Sequence, residues 1–176
     1  MKSRLLLFLI VLFGTISFLN PACNQQKIPA SPNILLILAD DMGYSDLGCY
    51  GSEINTPNLD QLAADGMMFT QFYNTAKCVP TRTEIMTGLH HQQTNELKID
   101  NNNVTISEVL KEKGYFTAMC GKWHLGRYRE EKDTPPDRGF DRFFGFLGGG
   151  INYYTGVDDP SGDNLMRLDR EVYEVP

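Results

Sequence analysis

An apolar run from Asn33 to Leu38, placed between Pro32 and an acidic pair, most constrains the fold of this chain. A continuous apolar run of this length is typical of a central β-strand covered on both faces. The adjacent carboxylates of Asp40 and Asp41 are costly at the end of a buried strand unless something neutralises them. In an open α/β sheet, ligands bind at this edge. The run therefore predicts an α/β fold with a hard divalent cation at the pair. The alternative is an acidic turn that caps the next segment.

The composition indicates a globular domain and argues against one class of partner. The chain has 176 residues, enough for one domain with a hydrophobic core, and 41% of them are apolar. The formal net charge is -6, and no run of basic residues follows the extreme N-terminus. Because nucleic-acid binding normally requires a basic patch, we expect no nucleic-acid partner.

The N-terminus has the pattern of an export signal. A charged start precedes a short apolar core over residues 5–19, which predicts a signal peptide over residues 1–22. Cys23 follows a small residue, as in a bacterial lipoprotein acceptor site, so membrane attachment through a lipidated Cys23 is expected. Plain cleavage and secretion is the alternative. Residues 23–32 form a linker. The expected location is the periplasm or the outer membrane, or outside the cell.

Residues 78–88 predict a cysteine at the start of a short helix. Pro80 suits the first helical position, and Gly88 suits the end. A thiol at Cys78 lies near the positive end of the helix dipole, which favours the thiolate and attracts anions. Arg82 lies four residues later and shares the same helix face. The alternative is a buried structural cysteine near a surface arginine.

Two further helices have clear boundaries in the sequence. Thr56 caps one that ends at Gly66, and Thr105 caps another that ends at Gly114. Residues 67–73 are rich in β-prone side chains and predict a strand. The apolar residues expected to face inward are Leu59, Leu62, Ile106, Val109 and Leu110.

A strand is also predicted over residues 115–120, just before a polar pair. Alternation places Lys122 and His124 on one side of the chain and Trp123 on the other. A lysine and a histidine that converge on the acidic pair would hold a dianionic ester and supply a proton donor. The alternative is a surface lysine beside a satisfied histidine.

Four other residues have less decided roles. Cys49 and Cys120 are expected to be two small buried thiols, although a bridge between them is possible after export. His90 and His91 follow the cysteine helix. Because adjacent side chains seldom both reach one ion, we expect a loop with at most one ring facing a substrate.

Three segments resemble the sulfatase family. Residues 78–88 match its Cys-x-Pro-Ser-Arg signature, which closes on Thr-Gly, with Thr81 where serine is commonest. Residues 114–126 read Gly-Tyr-x-Thr-x-x-x-Gly-Lys-Trp-His-Leu-Gly, which is the second signature. Residues 32–48 match the opening, Pro-Asn-Ile-x-x-Ile-x-x-Asp-Asp and then Gly-Tyr-x-Asp-Leu-Gly.

The resemblance implies a fold and a set of site residues. The fold is an alkaline-phosphatase-like sandwich with a mostly parallel central sheet flanked by helices, of which residues 33–176 form an N-terminal part, incomplete at the C-terminus. A maturing enzyme converts the cysteine to formylglycine, and a Ca2+ ion is bound at the nucleophile. The implied catalytic residues are Cys78, Arg82, Lys122 and His124, and the implied metal ligands are Asp40, Asp41 and residue 78.

The resemblance also implies an activity, the hydrolysis of sulfate esters of aryl compounds or carbohydrates. The formylglycine nucleophile attacks sulfur, His124 takes part in proton transfer, and Arg82 and Lys122 stabilise the charge that builds up. Two alternatives remain. One is a phosphate or phosphonate ester hydrolase on the same fold, and the other is a chain that is catalytically incomplete by itself.

Overall fold

The computed structural model describes five parts of the chain. The chain divides into two compact units, Met1–Leu38 and Ala39–Pro176. The predicted signal peptide, Cys23 and most of the predicted linker lie outside the described residues. Within the described parts, no helix combines the length and the apolar character needed to cross a membrane. The described residues are 31–94, 99, 102–127, 130–157 and 165–176.

The described residues of the second unit contain three α-helices and four β-strands, so the α/β class is as predicted. Three short 3-10 helices also lie in the described residues, at Gly48–Tyr50, His91–Gln93 and Pro135–Arg138. The α-helices are α1 (Pro57–Asp65), α2 (Cys78–Thr87) and α3 (Ile106–Glu112), and the strands are β1 (Ala118–Lys122), β2 (Arg142–Phe146), β3 (Met166–Leu168) and β4 (Glu171–Val172).

The strands form one open sheet in the order β1-β2-β3-β4. β1 and β2 are parallel, with Lys122 opposite Phe146, and the other two pairs are antiparallel. Gly121 and Gly145 are partners in the parallel pair, and a Cβ atom on Gly145 would collide with the Gly121 backbone. Glycine at this point therefore lets the two strands approach at the end of β1, directly before Lys122.

The described core lies beside the end of β1. Trp123 is almost fully buried and packs edge-to-face on Phe140, with 6.1 Å between ring centroids. Its indole N–H donates to the carbonyl of Asp133 at 2.8 Å. Trp123 is thus buried, whereas Lys122 and His124 on either side of it are half-buried. The buried apolar cluster consists of Ile99, Trp123, Leu125, Phe143 and Leu147.

Both predictions of a strand in the first half of the chain are wrong for this structure. Residues 33–38 are extended and 67–73 are irregular, and neither segment pairs in the described sheet. The side chains are exposed, with Leu35 at 85% and Phe72 at 76%. A strand becomes buried only when neighbouring strands and helices cover it.

The helix boundaries agree with the prediction, whereas the expected burial does not. Gly66 follows α1, and Thr105 forms a reciprocal capping box with Glu108 at the start of α3. The apolar side chains that were expected to face inward are instead largely exposed, and the contacts that position the two helices include several polar ones. In α1, for example, Asp60 accepts hydrogen bonds from the Cys49 amide and the Thr56 hydroxyl. The side chains concerned are Leu59, Leu62, Ile106 and Val109, while Leu110 is half-buried.

The cysteines of the described residues are free thiols, as expected. Their predicted burial is wrong, however, because Cys49 is half-buried and Cys120 is exposed. Cys120 alternates with half-buried positions along β1 and lies on the more exposed face of that strand.

A carboxylate between α3 and the sheet makes stability depend on pH. Asp141 accepts from the Lys111 ammonium at 2.6 Å and from the backbone N–H of Thr117 at 2.9 Å. The Lys111 hydrogen bond, followed by the Thr117 amide, lowers the pKa of Asp141 from 3.8 to about 2. Such a carboxylate stabilises the fold above pH 3.8, and this stabilisation is lost as the pH falls towards 2.

We therefore expect Asp141→Asn to lower the Tm near neutral pH, and the difference from the unmodified chain to shrink as the pH falls through this window. The measurement is thermal unfolding followed by circular dichroism across acidic pH. Asp65→Asn, which changes an exposed carboxylate on α1, serves as the control. A Tm difference that stays constant at all pH values would contradict the assignment.

Candidate active site

The first turn of α2 carries the cysteine. The helix begins at Cys78, with Lys77 in extended geometry before it, so Pro80 is the third helical residue and not the first as predicted. Proline is still tolerated there because the first N–H groups of a helix have no partner within the helix. Gly88 ends the helix as predicted, with φ 67° and its N–H bonded to the carbonyl of Glu84 at 2.8 Å.

His124 lies against this cysteine. Cys78 Sγ and His124 Nδ1 are 3.3 Å apart. The backbone of His124 has a φ of 56°, and its N–H donates to the carbonyl of Leu147 at 3.0 Å. A Cβ atom on Gly149 would lie 2.8 Å from Cε1 of the ring. The loop after β2 therefore positions the imidazole from both its backbone and its ring.

Arg82 and Lys122 share one carboxylate. Lys122 Nζ lies 2.8 Å from Asp40 Oδ2, and Arg82 NH2 lies 3.4 Å from Asp40 Oδ1. The buried Arg82 side chain also donates from NH1 to the carbonyl of Lys122 at 2.7 Å. Its Nε is buried and has no hydrogen-bond partner among the described residues. The cluster thus combines two cations with one anion.

The charges of the cluster shift two pKa values. The hydrogen bond from Lys122 and the nearby charge of Arg82 lower the pKa of Asp40, which keeps this carboxylate ionised. Burial lowers the pKa of His124, and the charges of Lys122 and Arg82 lower it further. The imidazole is therefore neutral near pH 7 and can accept a proton.

The donor set fits a hard cation in part. Asp40 and Asp41 are adjacent carboxylates, and Asp41 is exposed with a φ of 56°. Carboxylate oxygens suit Ca2+, which takes about six to eight oxygen ligands. Two carboxylates supply only some of these, and the unmodified thiol of Cys78 is a soft ligand that calcium does not favour. Asp40 and Asp41 therefore fit a calcium site, and position 78 fits only when it carries oxygen.

The predicted site residues come together almost completely. One bonded cluster contains Asp40, Arg82 and Lys122, and a second contact joins Cys78 to His124. Asp41 is adjacent in sequence but has no hydrogen bond or ion pair within the described part of the chain. The close approach of Gly149 to the ring was not predicted, because no local spacing links residues so far apart in sequence.

His90 and His91 do not form a simple loop. His91 Nδ1 lies 2.9 Å from Glu84 Oε1, and His90 Nε2 lies 3.6 Å from the same oxygen. Glu84 was not identified from the sequence as a functional residue. The signal that could have found it is the left-handed turn at Gly88, which reverses the chain and returns the two histidines to α2.

The chain is similar to known sulfatases over most of its length. The Sulfatase family model matches residues 32–174. Arylsulfatase J from Mus musculus is 46% identical over 138 residues, which cover 72% of this chain and 23% of that protein. Arylsulfatase A from Homo sapiens is 47% identical over 128 residues, which cover 65% of this chain and 25% of that protein. The arylsulfatase of Klebsiella aerogenes is 40% identical over 150 residues, which cover 76% of this chain and 31% of that protein. The chain thus spans 23% to 31% of these relatives.

Solved structures resemble this chain in both fold and sequence. The crystal structure of Ps i-CgsB matches with a TM-score of 0.65 and 41% identity, covering 70% of this chain and 30% of that one. The BT33336S-sulf structure, from a study of glycosaminoglycan metabolism by Bacteroides thetaiotaomicron, has a TM-score of 0.66 and 31% identity, covering 81% and 32%. Both identities are high enough for the matches to support a common family as well as a common fold.

The contact between Gly149 and His124 generates a prediction. Gly149→Ala places a methyl group against the ring, which must move, and we expect a loss of about 1–3 kcal/mol in the free energy of unfolding. The matched control is Gly150→Ala, where an added Cβ meets no atom of the described residues within 4 Å. Urea unfolding measures both, and the NMR signals of the His124 ring report its displacement. Equal stabilities and unchanged ring signals in the two variants would contradict this positioning role.

Proposed function

This chain belongs to the sulfatase family, and on that basis we propose that it provides the nucleophile, the cations and the base for hydrolysis of sulfate esters. The observation that carries the proposal is the convergence of Arg82 and Lys122 on one side and of Cys78 and His124 on the other. The substrates are sulfated aryl compounds or carbohydrates. The curated relatives that are named arylsulfatases support this reaction class.

Arg82 and Lys122 bind the anionic ester. The two cations carry more charge than the single carboxylate between them, so the cluster with Asp40 has a net charge of +1. The low exposure of both cationic side chains strengthens their attraction for an anion. The hydrogen bond from Arg82 to the Lys122 backbone fixes the guanidinium, so little reorganisation is needed when charge builds up on the sulfuryl oxygens.

His124 moves a proton at position 78. Its Nδ1 faces the side-chain atom of that residue at 3.3 Å, which is within reach for transfer of a proton. Because burial and the neighbouring cations favour the neutral ring, His124 acts first as a base. The His124 backbone N–H donates to the carbonyl of Leu147, and the glycine at position 149 leaves room for the ring.

Two groups from outside the unmodified chain complete this proposal. Formylglycine, made from Cys78 by a maturing enzyme, supplies a hydrated aldehyde as the nucleophile, and Ca2+ at Asp40 and Asp41 supplies positive charge beside it. Both groups are supported by the match to the family. The local chemistry agrees, since Asp40 and Asp41 offer hard oxygen donors next to the cluster.

Export remains part of the proposal. The charged start and apolar core of residues 1–22 support a location in the periplasm, in the outer membrane as a lipoprotein attached through Cys23, or outside the cell. An exported sulfatase meets sulfated glycans and aryl sulfates from the surroundings before they enter the cell.

The charge on Lys122 should matter for the reaction. We expect Lys122→Met to lower kcat for an aryl sulfate by about 100-fold or more, as for removal of one donor to a developing anion. The protein is expressed with a maturing enzyme, and mass spectrometry of the peptide around residue 78 measures its oxidation. Lys113→Met, which removes an exposed cation directly after α3, is the matched control. Full activity of Lys122→Met, or preference for a phosphate over a sulfate ester, would refute the proposal.

The cation proposal is tested by stability. Calcium should raise the Tm of the protein without substitutions, because a ligand that binds only the folded state stabilises that state. We expect the rise to disappear in Asp40→Asn and in Asp41→Asn and to persist in Asp65→Asn. An equal rise in all three variants would place calcium elsewhere.

A further inference from the structure

We propose that Glu84, His90 and His91 form a binding site for a divalent transition-metal ion of the zinc class. The site shares no residue with the calcium site or with the nucleophile cluster. One ligand atom from each of the three side chains lies within 4.8 Å of the other two. The site joins the C-terminal half of α2 to the 3-10 helix His91–Gln93 that follows it.

The distances from the carboxylate fit a tetrahedral ion. With metal–ligand bonds of about 2.0–2.1 Å, two ligand atoms of a tetrahedral zinc site are about 3.3 Å apart. His91 Nδ1 and His90 Nε2 lie 2.9 Å and 3.6 Å from Glu84 Oε1, on either side of this value. One nitrogen from each ring lies within 4.8 Å of the other, and a tetrahedral ion requires this separation to be about 3.3 Å.

Adjacent histidines can converge here because they use different ring nitrogens. His90 approaches with Nε2, at the far end of its ring, whereas His91 approaches with Nδ1, close to its backbone. Their ring centroids are 4.6 Å apart, with 33° between the planes. The difference in reach removes the usual objection to two neighbouring residues sharing one ion.

The local hydrogen bonds allow the change that an ion requires. His90 Nδ1 accepts from the Gln92 N–H at 3.5 Å, a long contact, and this contact must open so that Nδ1 carries the proton and Nε2 binds the metal. The His90 side chain is 53% exposed, so it can rotate without disturbing the core. The proton between His91 and Glu84 is released when the ion replaces it.

The donor types identify the class of ion. Two imidazole nitrogens and one carboxylate oxygen suit zinc and its neighbours in the first transition row, with a water in the fourth position. Calcium prefers about six to eight oxygen ligands and would not compete well for this set. A bound zinc ion would fasten the chain after Gly88 to the helix that carries Cys78 at its other end.

The experiment uses the untagged 176-residue chain after removal of bound metal. Zn2+ is titrated into it by isothermal titration calorimetry in the presence of excess Ca2+. We expect one zinc ion per chain, and a loss of affinity of at least about tenfold in Glu84→Gln, His90→Gln and His91→Gln. His124→Gln is the matched control, because the chain has three histidines and this one faces Cys78 instead. Binding of Co2+ should give the visible absorption bands typical of four-coordinate Co2+, and His90→Gln should abolish these bands.

Zinc binding at unchanged affinity in both His90→Gln and His91→Gln would overturn the proposal, as would its loss in His124→Gln alone. The absence of zinc binding by the folded, unmodified chain would also overturn it. Circular dichroism checks that each variant folds. If Glu84→Gln does not fold, His90→Gln decides, since its exposed ring can be replaced without loss of packing.

Discussion

The shared carboxylate of Asp40 is the interaction on which the site depends. It lies between the ammonium of Lys122 and the guanidinium of Arg82, both of which are largely removed from solvent. Two cations in that position repel each other and lose hydration, and one carboxylate with a hydrogen bond from Arg82 to the Lys122 backbone offsets part of this cost. Three distant parts of the sequence are thereby held together with a residual positive charge, which is suited to an anionic ester.

The structure brings together the residues that the sequence signatures indicated, whereas the burial predicted for the first strand is not observed. Cys78, Arg82, Lys122 and His124 were identified because each lies at a fixed spacing within a local signature, and local spacing survives whatever surrounds it. The burial of residues 33–38 was predicted wrongly, because it depends on partners far away in sequence. The chain spans 23% to 31% of the curated relatives, which have residues beyond those matched here.

Glu84 shows a different limit of sequence analysis. A glutamate on a helix is usually a solvated side chain, and only the reversal of the chain at Gly88 brings it to His90 and His91. The contact of Gly149 with the ring of His124 has the same origin, since a loop far along the chain determines it. Tertiary contacts of this kind leave no periodic pattern, so neither could be derived from spacing alone.

Trp123 makes the site visible to spectroscopy. It is the single tryptophan of the chain, it lies between Lys122 and His124, and its ring is buried with a hydrogen bond to the carbonyl of Asp133. Because indole emission depends on the polarity around the ring, the fluorescence of the whole chain reports on the segment that holds the base and one of the cations. Movement of Lys122 or His124 that disturbs this segment would shift the wavelength of maximum tryptophan emission, so no added label is needed.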